Sequence, residues 1–207
     1  MTDEVSGIPR RWAIRIRLRD FFYPKKVRHP VLAPPAYSNA HTGRPFLVLG
    51  SGPSLLDYSD EIRHFLADRH PVILAGNNAF LPYGADYIGF VNRKRFLRYG
   101  LDASHAGRLL IGPHIPSWVI RSLGFGHAAW QRLPFMDSRE TPFGVLDGIV
   151  QCDCGGIGVL LMVTAGIMGA GGVWIAGLDG YTNLQRHHFY EEPDLVHSTM
   201  KQHVARA

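Results

Sequence analysis

Short apolar runs alternate with stretches of helical periodicity between residues 46 and 176. The apolar runs, which suit buried strands, are residues 46–49, 71–75, 86–91, 109–112 and 172–176. The stretches with apolar positions at helical spacing are residues 55–68, 116–123 and 156–169. Strands that alternate with helices require crossover connections. The pattern therefore predicts an α/β fold, with a Rossmann-like, mostly parallel sheet flanked by helices.

The pattern is less regular near the C-terminal half. Between residues 125 and 150, Pro134, Pro142 and several glycines predict a loop or lid. The longest apolar segment, residues 155–176, contains seven glycines, so a helix, a turn and a buried strand are expected there and not a membrane span. Trp174 is predicted to lie in the core, and a last helix is expected from near Pro193.

Charge divides the chain into two parts. Residues 1–45 carry nine Lys or Arg and three acidic residues, a net charge of +6, whereas the whole chain carries +5. The 46% hydrophobic and 19% charged composition is typical of a globular protein. We therefore expect a basic N-terminal extension and linker over residues 1–45 and a Rossmann-like nucleotide-binding domain over residues 46–207.

The extension has two interpretations. Residues 12–19 alternate apolar and basic side chains, so residues 10–28 either contact an anionic membrane surface or pack on the domain itself. No nucleic-acid role is expected, because the excess charge does not continue into the body. Two cysteines, Cys152 and Cys154, lie too close together for a typical disulfide. A cytoplasmic protein, with the inner face of the membrane as a candidate location, is the resulting expectation.

Polar, glycine-bearing loops follow three of the predicted strands. They are residues 50–54, 76–78 and 177–181, and ligands of open parallel sheets bind beyond the carboxyl ends of the strands. The first is not a phosphate loop of the Lys-Ser or Lys-Thr type, because neither pair follows it. Its glycines would let the backbone approach a ligand, and the helix N-terminus after it would offer N–H groups to a phosphate. A structural turn explains this loop about as well.

Four stretches carry a resemblance to a known family. They are FLVLGSGPSL (46–55), ILAGNNAF (73–80), CGGIGVLLMVTAGIMGAGGVWIAGLDGY (154–181) and His197-Ser198. Their order and spacing resemble those of the bacterial sialyltransferases that use CMP-sialic acid. Relatives of that family include the motility-accessory-factor glycosyltransferases and the 6-hydroxymethylpterin diphosphokinase-like proteins.

The resemblance implies a role for each matching residue. His197 would be the catalytic base, and Tyr181 would donate a hydrogen bond from its phenol to the leaving phosphate. Tyr190 lies near the position of a second family tyrosine. The residues implied to bind the nucleotide are Gly50, Ser51, Gly52, Pro53, Ser54, Asn77, Asn78, Gly155, Gly156 and Asp179. Asp179 either contacts the ribose or caps the turn. No cofactor and no metal are expected, and no Asp-x-Asp occurs in the chain.

The implied function is transfer of a sugar to a glycan hydroxyl without metal. Sialic acid from CMP-sialic acid is the candidate donor, and the acceptor would be a glycan or glycolipid. Ser51, Gly155 and His187 depart from the family pattern, so two alternatives stay open. One is an ATP-dependent diphosphokinase of the 6-hydroxymethylpterin type, whose Mg²⁺ would need carboxylates. The carboxylates expected close to the ligand-binding edge of the sheet are Asp57, Asp86 and Asp179. The other is a degenerate nucleotide-binding domain without catalysis, and self-association is kept as a candidate in either case.

Overall fold

The computed structural model describes residues 36–126, 129–133, 135–137, 144–146, 149–152, 156–179 and 189. These residues form a six-stranded parallel sheet in the order β5-β4-β3-β2-β1-β9, with a second sheet in the order β6-β8-β7. The strands are β1 (Pro45–Leu49), β2 (Val72–Gly76), β3 (Tyr87–Phe90), β4 (Arg108–Ile111), β5 (Trp130–Arg132), β6 (Phe135–Asp137), β7 (Gly144–Leu146), β8 (Ile149–Cys152) and β9 (Gly172–Ala176). The predicted Rossmann-like α/β class is confirmed.

The helices alternate with the strands of the large sheet. They are α1 (Ser54–Asp57), α2 (Ser59–Arg69), α3 (Arg93–Ala106), α4 (Ser117–Ser122) and α5 (Ile157–Ile167). α3 was not predicted, although Asn92 is a strong N-cap whose side chain accepts hydrogen bonds from the N–H groups of Lys94 and Arg95. Both of these N–H groups lie in the first turn of α3, so the cap satisfies two donors that have no partner inside the helix.

The single helix predicted over residues 55–68 is divided into two helices in the structure. The stretch 55–68 breaks at Tyr58, which has φ −110° and ψ 36° and separates α1 from α2. The Tyr83 hydroxyl donates a hydrogen bond of 2.7 Å to the carbonyl of Leu55, which is the acceptor that Ser59 would use in a continuous helix. A side chain from another loop therefore takes the place of one helical hydrogen bond. Burial is the main cause that raises the pKa of Tyr83, so its hydroxyl remains a donor.

Alternate residues of the strands face two hydrophobic cores. Leu47, Leu49, Ile88 and Phe90 belong to a core that also contains side chains of α1, α2, α3 and α4. Phe46, Val48 and Leu74 face the opposite core, which contains side chains of α5. Both faces of the central strands are thus covered, which explains why the sequences of these strands are continuous apolar runs.

The prediction for residues 125–150 was wrong in part. Four short strands, β5 to β8, lie in and just beyond this segment. β5 extends the large sheet through pairing with β4, and β8 pairs in parallel with β6 and antiparallel with β7. Three-residue strands in a segment with prolines carry too little periodicity to be recognised.

The strand predicted at residues 172–176 is confirmed as β9, but the prediction that it is buried was wrong. β9 is the last strand of the large sheet, and Val173, Trp174 and Ile175 are 39%, 43% and 51% exposed. Trp174 lies beside Phe65 of α2, with 5.2 Å between ring centroids, but it is not in the core. Apolar composition alone does not distinguish a central strand from an edge strand, because the difference lies in what the neighbouring chain covers.

Residues 36–44 attach the start of the domain to the sheet. The N–H groups of Asn39, His41 and Gly43 donate to the carbonyls of Ile167, Met168 and Gly169 respectively, at the C-terminal end of α5. The His41 Nε2 lies 2.9 Å from the Tyr87 hydroxyl at the amino end of β3. The extension predicted for residues 1–45 and the helix expected near Pro193 lie mostly or wholly outside the described residues. None of the helices in the described part of the chain has the length and apolarity needed to cross a membrane.

We expect His41 to make stability depend on pH. Burial, followed by repulsion from Arg44, lowers the pKa of His41 from 6.5. The folded state then binds fewer protons at His41 than the unfolded state, so the contribution of His41 to the free energy of unfolding should be constant well above pH 6.5 and fall as the pH drops through that value. Denaturant unfolding between pH 7.5 and 5 should show a steeper fall in the wild type than in His41→Gln.

Exposed His64 provides the matched control. His64→Gln should keep the slope of the wild type. Equal slopes in the wild type and His41→Gln would contradict the assignment of this pH dependence to His41.

Candidate functional site

The order of the large sheet reverses direction between β1 and β9. From β1 the chain proceeds outward through β2, β3, β4 and β5, and it then returns to place β9 on the other side of β1. Ligands of open α/β sheets bind outside the carboxyl ends of the strands at such a switch point. At this edge lie Gly50 after β1, Asn77 after β2 and Gly177 after β9. The candidate site is built from these three loops.

The loops after β1 and β9 are joined directly through their backbones. The Gly50 N–H donates to the Ala176 carbonyl at 2.8 Å, and the Gly52 N–H donates to the Gly177 carbonyl at 2.7 Å. A Cβ atom at Gly50 would collide with the Gly177 carbonyl, and one at Gly177, where φ is +72°, would collide with the Gly50 carbonyl. The protein's own chain therefore requires glycine at both positions.

Asp179 completes this connection with its side chain. The Ser54 N–H donates to Asp179 Oδ2 at 2.9 Å, and the Ser54 hydroxyl donates a short hydrogen bond to Asp179 Oδ1. The Gly177 N–H donates in turn to Ser54 Oγ at 3.2 Å. A carboxylate thus stands at the N-terminus of α1, where a negative charge is favourable. Of the two roles considered for Asp179, capping is the one that these contacts provide.

These contacts change the account of the glycine turn. The sequence suggested that the helix after the turn would present its N–H groups to a phosphate. In the structure the N–H groups of Gly52 and Ser54 already donate to Gly177 and Asp179, and α1 is only four residues long. A Cβ atom at Gly52 would collide with Asp179 Oδ2, so the missing side chain makes room for this carboxylate.

The second loop contributes two asparagines. Asn78 is 1% exposed, and its Oδ1 accepts a hydrogen bond of 3.3 Å from the Ser51 hydroxyl, which ties this loop to the glycine turn. Asn77 has φ 55°, a left-handed conformation that Asn tolerates better than most residues. Its N–H donates to the Gly89 carbonyl, whereas its buried Oδ1 has no hydrogen-bond partner among the described residues. A buried acceptor of this kind is costly unless a ligand or water satisfies it.

The start of α5 closes the same edge. A Cβ atom at Gly76 would lie 2.7 Å from Ile157 Cγ2, so the first residue of α5 packs directly on the end of β2. The side chain of Leu178 fills the space over Gly50 and Gly158. Gly156 is the N-cap residue of α5 and therefore lies at this edge.

Most of the predicted binding residues come together here. Gly50, Ser51, Gly52, Ser54, Asn78 and Asp179 are joined by the hydrogen bonds above, Pro53 precedes α1, and Asn77 and Gly156 stand beside them. Gly155, Tyr181, Tyr190 and His197 lie outside the described residues. Two residues that the sequence did not mark also reach the turn: Tyr83 bonds Leu55, and the Phe189 N–H donates to the Ser51 carbonyl at 3.0 Å. Neither residue belongs to a helix or strand, so no sequence periodicity could have predicted its contact.

The carboxylates considered for Mg²⁺ are dispersed. Asp86 precedes β3, and its Oδ2 accepts from the Ile73 N–H, so the expectation that it lies at the carboxyl edge was wrong. Asp57 is exposed at the end of α1, and both oxygens of Asp179 accept from Ser54. Within the described residues no three His, Cys, Asp or Glu side chains are grouped to hold a metal ion.

The fold and the switch-point loops define a Rossmann-like α/β protein with a candidate ligand site. Comparisons with protein-family models, with curated proteins and with solved structures find no significant match to this chain.

We expect Gly50→Ala to destabilise the protein. Its Cβ would meet backbone atoms of Gly177, which cannot move aside without breaking the contact between β1 and β9. Overpacking of this kind typically costs about 1–3 kcal/mol. Gly156→Ala is the matched control, because a Cβ there meets no atom of the described residues within 4 Å, and a change within about 0.5 kcal/mol is expected. Equal losses in the two variants, measured by denaturant unfolding, would contradict this account.

Proposed function

We propose that this protein is a nucleotide-sugar glycosyltransferase of sialyltransferase type. It transfers a sugar, with sialic acid from CMP-sialic acid as the candidate donor, to a hydroxyl of a glycan or glycolipid without metal. One observation carries the proposal. Parts of three of the four stretches that resemble that family, at Gly50–Ser54, Asn77–Asn78 and Gly156–Asp179, meet at the switch-point edge of one parallel sheet.

Asn77 supports recognition of a nucleotide at this edge. Its carbonyl oxygen is buried and has no partner within the described part of the chain, and its N–H donates to Gly89 while its backbone is left-handed. The exocyclic amino group of cytosine or a ribose hydroxyl would supply a donor to this oxygen. A bound nucleotide would then offset the cost of burying an acceptor without a donor, which is about 1–3 kcal/mol.

The resemblance supplies the chemistry. The hydroxyl of the acceptor would attack the anomeric carbon of the donor sugar, and His197 would take the hydroxyl proton, as imidazole can near neutral pH. The bond from the anomeric carbon to the phosphate oxygen would break, and the Tyr181 phenol would donate a hydrogen bond to that oxygen as it takes up the negative charge. Tyr190 is the candidate for a second contact to the phosphate. Hydrogen bonds to a developing charge lower such a barrier without a metal.

The position of the carboxylates favours this proposal over the diphosphokinase alternative. Phosphoryl transfer from ATP relies on Mg²⁺ held by carboxylates beside the phosphates. Among the described residues, Asp86 is engaged at the amino edge of the sheet and Asp179 is engaged with Ser54. The transferase needs no such group. Contact of residues 10–28 with a membrane, which would bring a glycolipid acceptor close, remains part of the proposal.

We expect CMP to raise the melting temperature without any metal, because a ligand that binds only the folded state stabilises it by mass action. Asn77→Gly should abolish this rise, since glycine removes the recognising amide and tolerates a φ of 55°. The control is Asn92→Ala, which removes the cap of α3. It should lower the melting temperature itself and keep the rise with CMP.

The other nucleotides decide between the alternatives. CDP, UDP, GDP and ATP are tested beside CMP, each with and without Mg²⁺. A rise only with ATP and Mg²⁺ would replace the transferase by the diphosphokinase. If none of the nucleotides raises the melting temperature, the alternative of a degenerate domain without catalysis is favoured.

Catalysis is tested separately from binding. His197→Ala should reduce transfer or hydrolysis of CMP-sialic acid by at least 10²-fold, the usual scale of general-base catalysis, while the rise in melting temperature with CMP persists. Full activity in His197→Ala would remove His197 from the mechanism.

A further inference from the structure

The glycine turn after β1 is filled by the protein's own groups. In a nucleotide-binding turn, the absence of a Cβ lets a phosphate approach the backbone. Here the space beside Gly52 contains Asp179 Oδ2, and the space beside Gly50 contains the Gly177 carbonyl and Leu178. The positions that a phosphate would occupy therefore hold a carboxylate, a carbonyl oxygen and a methyl group.

The donors of this turn are also engaged. Both oxygens of the Asp179 carboxylate accept hydrogen bonds from Ser54, one from its N–H and one from its hydroxyl. The Gly52 N–H is engaged by Gly177, and the Gly177 N–H is engaged by Ser54 Oγ. A phosphate entering the turn would have to displace an anion that two donors already hold, and it would lie within a few ångströms of that anion's negative charge.

We propose that Asp179 is a specificity-determining residue, which occupies the phosphate position of the glycine turn with the protein's own carboxylate and so selects against ligands that need a phosphate there. This rests on the proposed function, in that a nucleotide binds at this edge. Such a nucleotide is held through its base and sugar near Asn77 and Asn78, and its phosphate lies outside the turn. A second phosphate on the nucleotide then gains nothing from the turn and is repelled by it.

The test uses the full chain without metal, with CMP, CDP and inorganic pyrophosphate as probes, followed by calorimetry and thermal shift. Asp179→Asn removes the charge and keeps the size of the side chain. Asp60→Asn is the matched control, because it removes the same charge from an exposed position in the first turn of α2, outside the glycine turn. The wild type should bind CDP no more tightly than CMP and should not be stabilised by millimolar pyrophosphate.

In Asp179→Asn, the affinity for CDP relative to CMP should rise at least fivefold, and pyrophosphate should raise the melting temperature. Asp60→Asn should behave as the wild type in both respects. The proposal is overturned by unchanged ratios and no response to pyrophosphate in Asp179→Asn, or by an equal gain in Asp60→Asn. Tighter binding of CDP than of CMP by the wild type overturns it without any variant.

Failure of the proposed function is a different result. In that case CMP does not stabilise the wild type at all. The response of Asp179→Asn to pyrophosphate alone still decides whether the carboxylate excludes phosphate from the turn.

Discussion

The close approach of the loops after β1 and β9 is the constraint on which the candidate site depends. Two backbone hydrogen bonds, from Gly50 to Ala176 and from Gly52 to Gly177, bring these loops together at a distance that admits no Cβ. The side chains of Ser54 and Asp179 hold them there. Because β1 and β9 flank the point at which the sheet order reverses, this contact determines the shape of the edge at which a ligand would bind.

A glycine turn after the first strand can therefore serve two different purposes. It can admit the phosphates of a nucleotide, or it can admit a neighbouring strand's loop, and the residue requirement is the same in both cases because only the absence of a Cβ matters. In this protein the second purpose is fulfilled by Gly177 and Asp179. Under the proposed function, recognition of a nucleotide depends more on Asn77, whose buried carbonyl oxygen has no partner in the described residues, than on the turn itself.

The elements that were predictable have a strong local signal. β1 and β2 are apolar runs of five residues buried on both faces, and α5 is an almost wholly apolar helix. The elements that were missed or misplaced have weak or ambiguous sequence signals. The strands between residues 130 and 152 are three or four residues long, and α3 presents to the core only Phe96, Gly100 and Ala103 as fully buried residues. Trp174 was misplaced because a strand's exposure depends on its position in the sheet.

The sequence by itself determined the class of fold, the order of five of the strands along the chain and the loops that could bear a site, because these follow from local periodicity and from where polar and glycine residues interrupt it. The tertiary structure alone decided that β1 and β9 are neighbours, that Asp86 lies at the opposite edge from Asp179, and that Asp179 caps α1. Ser54 and Asp179 are 125 residues apart in the chain, and no local pattern records a contact over that distance.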